Sequence, residues 1–521
     1  MRLHQDATIH GQFSDTDFEE TMRRAQSEYK VAPSLWPEAC ALAVYAALVA
    51  FAIPYHEPWA DEAQAWQLAR TLSLHDLFAT FIRYEASPGL WHFLLWILNQ
   101  AHVSYAGMHW VCGAIATAST ALLLFKSPFP RYLKLTLPFT YFLIFQYAVV
   151  ARNYVLVPPI LFLIAYWWKK RPIAVAVLLG LLANASLHAA ILSGGLAIVY
   201  AVEQIQTGCF NHRKRRRAFL LSASIVLALY AFAIWTAFPP HDLSLSRPPG
   251  APRPFFSWAV ASLFWGMCEP WLVSLPFWIA IAVWLGARRK FIYLLPVLFF
   301  AIFSGAVYAN WWHVGMLIPL LIAILWITWP APGSPSSAYE SIGRTALALM
   351  IITQIVWSGY ALVFDHFRAY SPDRAAAEFL RPYVERDATI AATDLDDPVN
   401  YAFRAIGILP YFDHNIFLNL PYPFWSWSDH NPSESLFQAA LPSHPRIIVI
   451  EIIYNGPEKP LQLDHPKFKQ ILSAGYRFTN LFCGTLPERT GPAFTNCHVI
   501  FQYPYGPQAP LEHAANPALS R

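Results

Sequence analysis

The chain reads as an α-helical polytopic membrane protein with a small C-terminal α/β domain, and three observations predict this. Only 13% of its 521 residues are charged and 56% are hydrophobic, whereas roughly a quarter of a soluble domain is charged. Several stretches approach the ~20 apolar residues that cross a bilayer. The composition turns polar, with short strand-like runs, only after Asp365.

The first 35 residues are polar and mixed in charge, without the basic-then-apolar order of a cleaved signal. They are expected to form a cytoplasmic tail, partly helical or disordered, ahead of an uncleaved first span. Apolar runs then follow near 36–54, 88–100, 107–125, 133–150, 153–168, 172–187, 188–204, 218–238, 256–287, 291–309, 312–330 and 345–364. Four basic clusters punctuate them: Lys126/Arg131/Lys134, Lys169-Lys170-Arg171, Arg213-Lys214-Arg215-Arg216-Arg217 and Arg288-Arg289-Lys290. Such clusters stay on the cytoplasmic side. Placing all four inside makes 256–270 an interfacial or re-entrant helix. The run at 88–100, too short for a normal span, then lies along the outer surface. About eleven crossings remain, with the N-terminus inside and the C-terminus outside. The transmembrane part is 36–364, with a first outer loop at 55–106.

Residues 365–505 are expected as a periplasmic α/β domain. Ala375–Val384 reads as a helix, and Thr389–Thr393, Ile447–Ile453 and His498–Tyr503 as strands. The Pro-, Trp- and Tyr-rich loop Leu420–Pro432 either lines a substrate groove or simply packs. The tail 506–521 looks disordered. The six cysteines show no metal-binding spacing. Cys40, Cys112, Cys209 and Cys268 sit in or beside apolar segments as small packing residues. Cys483 and Cys497 would pair if their domain faces an oxidising compartment. A net charge of +4, with no basic run interleaved with aromatics, gives no sign of a nucleic-acid partner.

Chemistry concentrates at one membrane face. The first outer loop opens with His56-Glu57-Pro58-Trp59-Ala60-Asp61-Glu62-Ala63-Gln64-Ala65-Trp66. Asp61 is a candidate general base and equally a helix cap with Gln64 as its capping-box partner. Leu74, Leu77, Phe78 and Phe81 then repeat at helical spacing, as in an amphipathic helix lying on the membrane. Glu85 precedes the helix start Ser87-Pro88, and His92 lies in the first turns that follow. Loop acids such as these are often merely solvated. Arg152, isolated among apolar residues, either snorkels or clamps a phosphate. His188 and His313 fall at outer ends of spans, as aromatic-belt residues or as ligand contacts. Arg253 and Glu269 fall on the same side.

This ordered set resembles the GT-C superfamily of membrane glycosyltransferases, in particular bacterial protein-mannosyltransferase and lipid A or core-sugar transferase types. The resemblance rests on Asp61-Glu62-Ala63, on Glu85-Ala86-Ser87-Pro88-Gly89-Leu90-Trp91, on Ala151-Arg152-Asn153-Tyr154 and on His313-Val314-Gly315, across roughly 36–330. It implies an inverting enzyme that moves a sugar from a polyprenyl-phosphate donor to a glycan, lipid or protein acceptor at the outer face, among membrane lipids. Asp61 would be the catalytic base, with Glu62, Glu85, Arg152, His188 and His313 as substrate-binding positions. Relatives carry an acid just before the Ala-Arg-x-Tyr stretch, where this chain has Val149-Val150. That puts a two-carboxylate metal site in doubt, so a divalent metal cofactor and metal-independent transfer both stay open. Rival readings are a flippase or transporter of lipid-linked sugars, a non-catalytic membrane scaffold, and an oligosaccharide polymerase or ligase. The first of these would place charges inside spans near the midplane.

Overall fold

The computed structural model describes residues 34–242, 254–267, 271–331, 337–395, 404–425, 433–455, 457–488 and 491–504. The N-terminal tail, the tail after residue 505, Arg253, Cys268, Glu269 and the loop end 426–432 lie outside the described residues. The protein is mostly helical (68%), with a small C-terminal sheet. Among the described residues, five helices are long and apolar enough to cross a membrane: Tyr105–Lys126, Leu187–Gln206, Arg213–Ala237, Trp311–Thr328 and Ala338–Phe367. It is a membrane protein. Six further apolar helices among the described residues, Trp36–Ala52 among them, are shorter, at 10–17 residues.

Local sequence explains several helix starts. Ser104, Ser186 and Ser337 each accept a backbone N–H three residues on, which satisfies one of the donors a helix N-terminus leaves open. The apolar run 256–287, expected as an interfacial or re-entrant helix followed by a span, forms helices Phe255–Trp265 and Trp271–Ala287. The centre of the bundle is Leu317–Thr328, buried at every residue, which is why its sequence is apolar all round. Helix Arg213–Ala237 is its opposite. Only Ser222, Ala233 and Thr236 are buried, and Leu220, Leu221, Leu227, Phe232, Ile234 and Trp235 are exposed. Helix Leu187–Gln206 approaches Leu295–Ala306 so closely that a Cβ on Gly195 would lie 2.5 Å from the Pro296 backbone. Only glycine permits that contact. At the end carrying the basic clusters, Glu203 accepts from Lys290 Nζ (2.8 Å) and Trp168 Nε1 (2.8 Å), tying three chain segments together.

The stretch expected as a span at 133–150 is not one helix. A helix at Arg131–Thr136 gives way to a 3-10 turn at Leu137–Phe139 and a π-turn at Phe142–Gln146. Pro138 starts the break, because it lacks the N–H that would continue the helix. The chain then runs as Ala148-Val149-Val150-Ala151, all buried. Irregular backbone of this kind survives at membrane depth only when protein surrounds it. The amphipathic helix read from Leu74 to Phe81 is also divided. Helix Leu74–Ala79 is capped by Ser73, and Phe81 begins a separate 3-10 turn.

The C-terminal domain has four strands, β1 (Ile390–Asp394), β2 (Ile447–Asn455), β3 (Arg477–Glu488) and β4 (Gly491–Gln502). They run in the order β1-β2-β4-β3, with β1 and β2 parallel and the other pairs antiparallel. Ile447 and Val449 pack with Ala376 and Leu380 of helix Asp373–Val384. Ile448 and Ile450 face the other way, onto Phe437 and Phe468. A strand covered on both faces reads as a continuous apolar run, which is why β2 is the plainest strand in the sequence. β3 is mixed in polarity and bulged between Phe478 and Asn480, so its alternation is weak. Cys483 of β3 faces Cys497 of β4 and forms a disulfide.

Replacing both Cys483 and Cys497 by serine should lower stability by about 2–4 kcal/mol. The melting temperature of the oxidised wild type should fall towards that of the variant on adding a reductant. No response to reductant would show the bridge to be absent.

Candidate active site

Asp61 lies in the first turn of helix Ala60–Thr71, and Arg152 precedes the short 3-10 turn Asn153–Leu156. The Arg152 guanidinium donates to the Asp61 carboxylate. Tertiary structure therefore joins two residues that are 91 positions apart. The Asp61 side chain is 41% exposed and that of Arg152 20%, so an accessible acid is held by a mostly covered cation. Burial works against the guanidinium's charge, but Asp61 raises its pKa above the ordinary arginine value. Arg152 also lies over the Tyr154 ring, 5.5 Å from its centre.

Gln64, one turn after Asp61, does not act as a capping partner. Its amide donates to Glu85 Oε1 (2.8 Å) and to the Trp425 carbonyl (2.7 Å), and its oxygen accepts the Trp425 N–H (2.7 Å). One side chain thus holds Glu85 beside the Asp61–Arg152 pair and pins the aromatic loop of the C-terminal domain over the site. Phe424, next in that loop, packs with Leu68 and Leu77. The described part of the Pro- and aromatic-rich loop therefore closes on the first outer loop. Burial pushes the Glu85 carboxyl up to about 7, with the Gln64 amide and Arg152 pulling the other way.

Glu62 is a different kind of residue from its neighbour. Its side chain is 0% exposed and it accepts four hydrogen bonds. Oε1 takes Ala151 N–H (2.6 Å) and His109 Nε2 (3.0 Å), while Oε2 takes Trp59 N–H (3.1 Å) and His56 Nε2 (3.4 Å). Glu62, and not Asp61, therefore reaches back to the start of the helix, at the third helical position of a capping box. Burial alone would raise its pKa, but the two histidines hold the carboxyl well below the usual carboxylate range. His56 Nδ1 donates to Asp365 (3.2 Å) at the end of helix Ala338–Phe367. Burial opposes the His56 charge, but Asp365 and Glu62 push its imidazole up to about 10. The expectation that Glu62 binds substrate is corrected by this geometry, since every lone pair is used inside the protein.

The two outer-face histidines meet each other. His188 stacks on His313 with ring centres 4.0 Å apart and planes 12° apart. His313 in turn meets the edge of Tyr154, 5.6 Å away. Both are buried. His188 Nε2 donates to the Tyr308 carbonyl (3.0 Å), and His313 Nδ1 accepts the Asn310 N–H (3.0 Å). Expected as substrate contacts, they are better described as a wall behind Tyr154 and Arg152, with His188 the more distant.

Three residues entered the site without having been assigned to it. His92 is buried within electrostatic reach of Arg152, and its ring nitrogens make no hydrogen bond among the described residues. Burial and the Arg152 charge push it down to about 4, so it is neutral. His56 and His109 were invisible as a pair, because only the packing of helix Tyr105–Lys126 against the first loop brings them to one carboxylate. A histidine in an otherwise apolar span was the available signal for His109. Comparison with protein-family models, characterised proteins and solved structures gives no match.

Two outcomes follow. Glu62→Ala leaves buried donors without a partner and should cost about 3–5 kcal/mol, whereas Asp61→Asn should cost no more than about 1 kcal/mol. Equal losses in thermal unfolding would contradict the division. Glu85→Gln should also stabilise the protein in a pH-dependent way. A carboxyl raised in the folded state costs nothing below about pH 4.5 and progressively more up to about pH 7. The melting temperature of the variant relative to wild type should therefore climb by roughly 1–3 °C over that window and then level off. A flat difference would place Glu85 in open solvent.

Proposed function

We propose that this protein is an inverting membrane glycosyltransferase of the GT-C type, using a polyprenyl-phosphate sugar at the outer face of a bacterial inner membrane. The observation that carries the reading is the Asp61–Arg152 pair. It sets a solvent-reachable base and a phosphate-binding cation side by side at the margin of an apolar bundle. A lipid phosphate arriving from the bilayer competes for Arg152, whose planar fork suits phosphate oxygens. Asp61, released from the pair, accepts the proton of the acceptor hydroxyl. The acceptor oxygen forms the new bond to the anomeric carbon, and the bond from that carbon to the phosphate oxygen breaks. The electron pair leaves on the polyprenyl phosphate, whose charge Arg152 stabilises. Glu85 and the neutral, unpartnered His92 are the groups available for sugar hydroxyls.

Inversion follows from a single displacement with no covalent sugar–enzyme intermediate. Polar residues gathered at one face favour this reading over a transporter, whose charges would line a path near the midplane. The Cys483–Cys497 bridge supports an outer C-terminal domain, since disulfides persist in oxidising compartments. About eleven crossings, with the N-terminus inside, fit the same orientation.

Purified protein should transfer sugar from defined polyprenyl-phosphate donors. Asp61→Asn should lower turnover by about 10²–10⁴-fold without loss of folded protein. Arg152→Lys should retain part of that activity and Arg152→Ala should not. Full turnover by Asp61→Asn would remove the base assignment, and absence of transfer from every donor would favour a scaffold. A cysteine introduced at Lys469 should react with an impermeant reagent only from the periplasmic side.

A further inference from the structure

Behind Asp61, on the side away from solvent, lies a cluster that the transfer reaction does not use. His56 precedes helix Ala60–Thr71, Glu62 is on it, and His109 comes from helix Tyr105–Lys126. One ligand-type atom from each lies within 4.8 Å of the others, and all three side chains are buried. Two ligands about 2.1 Å from one tetrahedral ion stand about 3.4 Å apart. His56 Nε2 stands at that spacing from Glu62 Oε2, 3.4 Å, and His109 Nε2 stands closer, 3.0 Å, to Oε1.

The anchoring points the same way. Glu62 and Asp365 set two buried carboxyls against the His56 ring, and no lysine or arginine among the described residues is hydrogen-bonded to either acid. Each oxygen of Glu62 is fixed by one backbone N–H, from Trp59 and Ala151, and turns its remaining lone pair towards a histidine. Asp365 faces Nδ1 of His56, so that Nε2, which lies towards Glu62, is the nitrogen that would meet an ion. A carboxylate that orients a ligating histidine in this way is a recurrent outer-shell device.

We propose that His56, Glu62 and His109 bind one divalent transition metal of the zinc class, oriented by Asp365. The ion clamps the first outer loop to helix Tyr105–Lys126. Through the Ala151 N–H on Glu62 it also sets the place of Arg152. The proposal is independent of the glycosyltransferase reading, because its readout is metal content and not transfer.

The test is elemental analysis of untagged full-length protein in detergent, incubated with Zn²⁺ and desalted. Wild type should hold about one Zn²⁺ per chain, released by a strong chelator together with a fall in melting temperature that added Zn²⁺ reverses. His109→Ala and His56→Ala should lose the ion. Asp365→Asn should bind about 10–100-fold more weakly, and the exposed His75→Ala should match wild type. Wild-type protein that retains no Zn²⁺, with a melting temperature indifferent to Zn²⁺ and chelator, would overturn the proposal in favour of a cluster held by hydrogen bonds alone. So would His109→Ala protein that retains as much Zn²⁺ as wild type.

Discussion

The four hydrogen bonds that converge on Glu62 are the interaction on which the rest of the site depends. They come from the loop at His56 and Trp59, from His109 in a membrane helix, and from Ala151 in a broken span. Through His56 the chain extends to Asp365, where the bundle hands over to the C-terminal domain. A buried carboxylate is costly unless its lone pairs are used. Once they are used, no donor can leave without exposing that cost. Such a group fixes geometry more firmly than apolar packing, which tolerates small slides. The position of Asp61, one residue earlier, is inherited from this anchor.

The broken span supplies what a regular helix would have withheld. In an unbroken helix the Ala151 N–H would be bonded to the carbonyl four residues back. Here the 3-10 and π-turns between Leu137 and Gln146 end that pattern. The Ala151 N–H goes to Glu62, and Arg152 turns towards Asp61. Full burial of Phe142 to Ala151 protects the exposed backbone dipoles from lipid. Division of labour between adjacent acids follows: Glu62 is consumed in holding the fold, and Asp61 stays within reach of solvent.

The C-terminal domain takes part in the site and does not merely hang from the membrane portion. Arg374 donates to the His56 carbonyl (3.2 Å), Arg70 donates to the Phe412 carbonyl (2.8 Å), and Gln64 grips the Trp425 backbone. All three residue pairs tie that domain to the first outer loop. The buried Phe424 and Trp425 are thereby packed onto the first outer loop beside Glu85.

Much of this organisation was legible in the residues themselves. Apolar content marked a membrane protein, the change after Asp365 marked the second domain, and the runs at Ile390 and Ile447 were strands because burial on two faces demands apolar residues. Asp61, Glu85 and Arg152 stood out as ionisable groups beside apolar segments. Local pattern misjudged Gln64, Glu62, His188 and the span at 133–150, because each is decided by partners 40 to 360 positions away, or by a break that composition does not show. Sequence by itself determined which segments must leave water and which charges must stay at their margins, since both follow from the cost of transfer into a bilayer. Only the tertiary structure decided which of two adjacent acids is spent inside and which stays within reach of solvent. That choice depends on where the backbone N–H groups and histidines of other segments arrive.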